Sequence, residues 1–75
     1  MKVLFFGVLS ELAAKSADEF DFAGTVQEFR KMMSDQYSGF SDQKYQIAAN
    51  QKVVQDDHVL EGNEELALLP PFTGG

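Results

Sequence analysis

The sequence has no cysteine, only two prolines, one histidine and six basic residues. Without cysteine there is no disulfide, no thiolate metal site and no persulfide carried on the chain itself. The lone histidine, His58, stands beside Asp56 and Asp57 in a polar stretch. Adjacent loop residues rarely converge on one ion and no second imidazole exists, so no metal site is expected. The basic residues, Lys2, Lys15, Arg30, Lys31, Lys44 and Lys52, are scattered among twelve acidic ones, for a net charge of −6. Nucleic-acid binding needs clustered positive charge to displace phosphate counterions, and it is excluded on that ground. An acidic chain suits a partner with a basic surface. The longest apolar run, Val3 to Leu9 (VLFFGVL), is far short of the ~20 residues a membrane helix needs. It also lacks the polar cleavage region of a signal peptide. The expectation is a soluble, cytoplasmic protein with no membrane partner. Ser10, Ser34, Ser38 and Ser41 have no accompanying pattern for nucleophilic catalysis.

What is present fits one small domain of 75 residues, 44% hydrophobic and holding seven Phe. A domain of this size buries roughly 60% of its unfolded surface, and its stability should be on the order of 3–5 kcal/mol. Lys2 to Phe6 (KVLFF) reads as a strand, with Val3 and Phe5 toward the core and Lys2, Leu4 and Phe6 on the other face. Val8 to Lys15 could form a short helix, and Ala17 to Phe22 could pair back on the first strand. Thr25 and Glu28 have capping-box spacing, and Val26, Phe29 and Met33 then mark one buried helical stripe. Tyr37 to Lys44 reads as a loop, Tyr45 to Ala49 as a strand, and Asn50-Gln51-Lys52 as a turn into Val53 and Val54. Asp56 to Glu65 is polar and should bury at most Val59 and Leu60. Leu66 to Leu69 is the last strand, with Leu66 and Leu68 inward.

A long helix across one face of a mixed sheet is an α+β arrangement. If the first and last strands pair, Leu4, Phe6, Ala67 and Leu69 converge on the face away from the helix, and Val53 can join them. Such an apolar patch on an acidic domain is either an interface or the underside of a curled sheet covered by a loop.

The domain is read as residues 1–69 and the last six residues, Pro70 to Gly75 (PPFTGG), as a tail. Pro70-Pro71 ends the strand because proline cannot donate to a ladder, and it stiffens the exit. Six extended residues reach about 20 Å. A thin probe of this kind can enter a channel closed to any folded surface. Its reactive group is the Gly75 carboxylate, a poor acyl donor until activated, for instance as an acyl-adenylate. A glycine tip brings that carboxylate to an ATP phosphate with no β-carbon in the way. Gly-Gly alone is a weak signal. Its combination with Pro-Pro, an apolar residue and a preceding strand is a stronger one.

KVLFF at the start, the Thr-capped helix, IAANQ (Ile47 to Gln51) and LEGNEELALLPPFTGG (Leu60 to Gly75) together resemble the small, sulfur-carrying subunit of molybdopterin synthase, a ubiquitin-related family. Glu61-Gly62-Asn63-Glu64 departs mildly from that family's usual Asp-Gly-Asp-Glu. The resemblance implies a β-grasp fold with about five strands and one main helix. It implies adenylation of Gly75 by an ATP-dependent activating enzyme, conversion to a thiocarboxylate, and sulfur donation to a cyclic pyranopterin precursor inside the large catalytic subunit. Gly74 and Gly75 would carry the chemistry, and Phe6, Val53, Leu69, Pro70, Pro71, Phe72 and Thr73 would meet the partner. No permanently bound cofactor is implied, since ATP belongs to the activating enzyme. Carriers for thiazole synthesis or tRNA thiolation, a lysine-conjugated modifier and a plain interaction module remain alternatives.

Overall fold

In the computed structural model, which describes residues 1–70, the first strand, β1 (Lys2–Phe5), buries Val3 and Phe5 and leaves Lys2 in solvent. The expected alternation therefore holds. A helix, α1 (Val8–Ala13), follows and anchors Leu9 and Ala13 in the core. It ends two residues before the expected Lys15 because Ala14 turns left-handed (φ 59°) and its N–H is used by the carbonyls of the last turn. The second strand, β2 (Ala17–Glu19), pairs antiparallel with β1, with Leu4 opposite Ala17. It is shorter than the alternating sequence suggested. Phe20 still exchanges backbone hydrogen bonds with Met1, and Phe20 and Phe22 pack edge-on against Phe29, with centroids 6.3 and 5.4 Å away.

The main helix, α2 (Val26–Gln36), begins at the expected box. Thr25 Oγ1 accepts from the Glu28 N–H at 3.2 Å, and Glu28 Oε1 accepts from the Thr25 N–H at 2.9 Å. Two further first-turn donors are met from the distant 56–58 loop: Val26 N–H donates to the His58 carbonyl and Gln27 N–H to that of Asp56. Val26, Phe29 and Met33 are fully buried, as their spacing required.

Gly24–Thr25 (β3) and Val59–Leu60 (β6) form a two-stranded ladder beside the helix start. Sequence patterning had not marked it. Of the two residues this stretch could at most bury, it buries Leu60 and leaves Val59 62% exposed. The stretch read as loop, Tyr37 to Lys44, contains a 3-10 turn (Phe40–Asp42) that seats Phe40 against Phe5, Tyr37 and Tyr45.

β4 (Gln46–Ala49) and β5 (Lys52–Val54) form a hairpin whose turn residues, Asn50 and Gln51, have φ values of 50° and 73°. These are the positive angles a two-residue hairpin turn needs. Asn50 also exchanges backbone and side-chain hydrogen bonds with Glu65, tying the turn to the start of the last strand, β7 (Glu65–Leu69). The sheet order is β2-β1-β7-β4-β5, with β1 and β7 parallel at its centre and the other pairs antiparallel. Val3, Phe5, Ile47, Leu66 and Leu68 on its inner face share one core with Val26, Phe29 and Met33 of α2.

Candidate partner-binding face and tail exit

Strand alternation sends every second residue to the side of the sheet away from α2. The ladder register places Leu4 opposite Ala67, Ala67 opposite Ala48, and Ala48 opposite Val53. These residues form one continuous apolar row across four strands. Beyond it toward the C-terminal end of β7, Leu69 stands opposite Gln46. Phe6, one residue past β1, is held by its N–H to the Leu68 carbonyl and is 45% exposed. Val53 is 52% exposed, and Leu4, Ala67 and Leu69 are half-buried. The opposite end of this face is charged, with Lys2 paired across the ladder to both Glu19 and Glu65. The face is thus polar at one end and apolar at the end where the chain leaves the sheet.

Phe6, Val53 and Leu69, expected at an interface, lie on or at the edge of this surface. Pro70 is half-buried at its rim, beside the β1–α1 corner. Pro71, Phe72, Thr73, Gly74 and Gly75 lie outside the described residues. Ala48 and Val8 had not been singled out. Ala48 was legible: if Ile47 and Ala49 point inward, Ala48 must point outward, and its methyl forms the low centre of the row. Val8 sits exposed next to Phe6 across Gly7.

The groups with displaced pKa values do structural work elsewhere. The Lys15 ammonium and the Glu19 N–H hold the Asp18 carboxyl below its usual range, and Tyr37 donates to the same carboxylate. The Thr25 backbone and hydroxyl do the same for Glu28. At Glu64 burial opposes ionisation, but the N–H groups of Glu61, Gly62, Glu64 and Asn63 prevail and the carboxyl titrates low. Glu64 thereby closes the Glu61-Gly62-Asn63 turn from inside, a role hydropathy could not indicate. Burial pushes the Tyr45 phenol up, while the Arg30 guanidinium lies 4.8 Å from its ring centroid. Arg30 also donates to the Tyr45 carbonyl and to Asp56. Among the described residues no cluster of three or more His, Asp or Glu could hold a metal. No helix among them is long and apolar enough to cross a membrane.

A mixed five-stranded sheet with a parallel central pair, gripping one long helix, defines a ubiquitin-like β-grasp protein. A Pyrococcus furiosus protein described as a putative molybdopterin converting factor, subunit 1, has the same fold (TM-score 0.83, 19% identity, 95% of each chain). SAMP1 from Haloferax volcanii matches at a TM-score of 0.75 and 21% identity, covering 100% of this chain and 98% of that one. The chain belongs to the ThiS family, whose model matches residues 3–75. Two relatives are each described as a molybdopterin synthase sulfur carrier subunit. The one from Escherichia coli is 41% identical over 81 aligned positions, covering 100% of this chain and 99% of that protein. The one from Caenorhabditis briggsae is 30% identical, covering 100% of this chain and 96% of that protein.

Proposed function

We propose that this chain is the sulfur carrier subunit of a molybdopterin synthase. The observation that carries the reading is the full-length 41% identity to the Escherichia coli sulfur carrier subunit, together with a family match that runs to Gly75. The apolar outer face supports it, because that face is continuous with the tail exit and suits a large partner that must receive surface and tail together.

The described residues offer anchorage rather than reaction chemistry, so the chemistry is assigned to the tip. A Gly75 carboxylate oxygen attacks the α-phosphorus of ATP in an activating enzyme, and pyrophosphate leaves. A sulfur nucleophile then attacks the acyl carbon, AMP leaves, and a thiocarboxylate remains. Inside the large catalytic subunit this sulfur passes to a cyclic pyranopterin precursor, and a water oxygen returns to the glycyl carbon. Repetition supplies both sulfurs of the dithiolene that holds molybdenum. With no cysteine in the chain, the carboxylate is the place sulfur can ride.

Deleting Gly75 retracts the carboxylate by about 3.5 Å, and even ~1 Å of misplacement can cost a hundredfold in rate. A synthase reconstituted from this chain, its activating system and the large subunit should lose nearly all product formation with the deletion, while the free chain melts normally. Full activity of the deletion would overturn the proposal.

A further inference from the structure

The β1–α1 corner lies against the base of the tail, and its shape is specific. Gly7 has φ 59° and ψ −135°, a combination open to glycine and strained for an L side chain. A Cβ placed on Gly7 would stand 2.9 Å from Cγ of Pro70, with Cβ and Cδ of the same ring at 3.5 and 3.7 Å. The proline ring thus occupies the space a side chain would take. The corner itself is held from several sides. The Gly7 carbonyl accepts from the Ser10 N–H at 3.0 Å and from its hydroxyl at 2.8 Å, the Phe6 carbonyl accepts from Leu9 N–H, and Phe6 N–H donates to Leu68. Phe6 and Val8, both exposed, flank the contact.

We propose that Gly7 is a positioning residue for sulfur transfer: its bare backbone seats the Pro70 ring and so sets the direction in which the tail leaves the domain. The inference rests on the sulfur-carrier reading. Proline fixes its own φ, and a residue that precedes proline is confined to extended geometry. Pro70 is followed by Pro71, so an orientation set at the first ring is passed on to the second. An extended chain advances about 3.5 Å per residue, which puts a tip five residues on at about 17 Å. A tilt of about 10° at the base then moves that tip by about 3 Å. The partner must accept the outer face and the tail at once, so a misdirected base spoils delivery while leaving surface contacts intact.

The test is a double-mutant cycle of Gly7→Ala and Pro70→Ala, read as single-turnover sulfur transfer from thiocarboxylated chain to the cyclic precursor at saturating large subunit. Affinity for the large subunit and melting of the free chain are measured alongside. Gly7→Ala should lower the transfer rate at least about tenfold with affinity changed less than about twofold. In the Pro70→Ala background, where the colliding Cγ is gone, the same substitution should cost less than about twofold. Equal losses in both backgrounds would overturn the proposal, as would no loss in either. Should Gly7→Ala fail to fold, Pro70→Ala alone, which leaves the corner untouched, must lower transfer at saturation, and an unchanged rate overturns the seat. Nuclear Overhauser effects between the Gly7 Hα and Pro70 ring protons of the free wild-type chain test the contact apart from sulfur chemistry. Effects present in a chain that activating enzyme, ATP and a sulfur source fail to thiocarboxylate keep the seat and refute the carrier reading. Absent effects refute the seat.

Discussion

Replacing phenylalanine by alanine at two positions should give opposite results, because one ring holds the fold and the other faces out. Phe29 is fully buried on α2, against Phe20 and Phe22 and within the cluster that includes Val3, Ile47 and Leu66. Losing its transfer free energy and leaving a cavity costs about 3–5 kcal/mol. The whole domain has on the order of 3–5 kcal/mol to lose. Phe29→Ala should therefore leave the chain largely unfolded at 25 °C. Phe6 is 45% exposed and is held by its backbone N–H to the Leu68 carbonyl. Phe6→Ala should cost the free domain under ~1 kcal/mol, since surface substitutions of this kind have small effects. Binding to the large subunit should instead weaken by about 1–2 kcal/mol, roughly five- to thirtyfold. Urea melts followed by circular dichroism and calorimetric titration read the two effects separately. A Phe29→Ala midpoint equal to the parent's, or a Phe6→Ala variant with undiminished affinity, would refute the division between core and interface.

Ala14→Gly should stabilise the chain by about 1 kcal/mol, since alanine sits there at φ 59° and glycine adopts that angle without a Cβ penalty. In a domain this small the melting temperature should rise by about 4–8 °C. Ala48→Arg should abolish association with the large subunit, because Ala48, itself only 6% exposed, is the low centre of the outward row. Native association measured by analytical ultracentrifugation would count against that assignment. Asp18, Glu28 and Glu64 all titrate low in the folded chain. Their contribution is present above the ordinary carboxylate pKa near about 4 and is lost as pH falls through the lower folded values. Thermal midpoints should drop below about pH 4, and the combined variant Asp18→Asn, Glu28→Gln, Glu64→Gln should flatten that drop. An identical acid slope in the variant would remove these groups from the account.

Periodicity carried the sheet and helix because their core residues repeat at strand and helix spacing. Val3 and Phe5, Val26, Phe29 and Met33, and Leu66 and Leu68 are all buried where alternation or the capped stripe put them. The apolar face could be anticipated for the same reason, since its residues are the out-facing partners of those strands. Phe40 could not be placed that way, because its polar neighbours conceal a 3-10 turn that inserts a single ring. The β3–β6 ladder pairs residues far apart in sequence, Gly24 with Leu60 and Thr25 with Val59, and each strand is too short to show a period. Glu64 is buried by hydrogen-bond demand in a turn, which hydropathy reads as surface. The Gly7–Pro70 contact was hidden because it depends on the missing side chain of one residue and the ring of another 63 positions away (70 − 7).

The central claim is that sulfur rides on the Gly75 carboxylate, and intact mass spectrometry addresses it directly. The chain is incubated with its activating enzyme, ATP and a sulfur source, and its mass is compared with that of the untreated chain. The account predicts a gain equal to the replacement of one oxygen by sulfur, located by fragmentation at Gly75, and its loss after incubation with the large subunit and the cyclic precursor. A chain whose mass is unchanged after that incubation would contradict it.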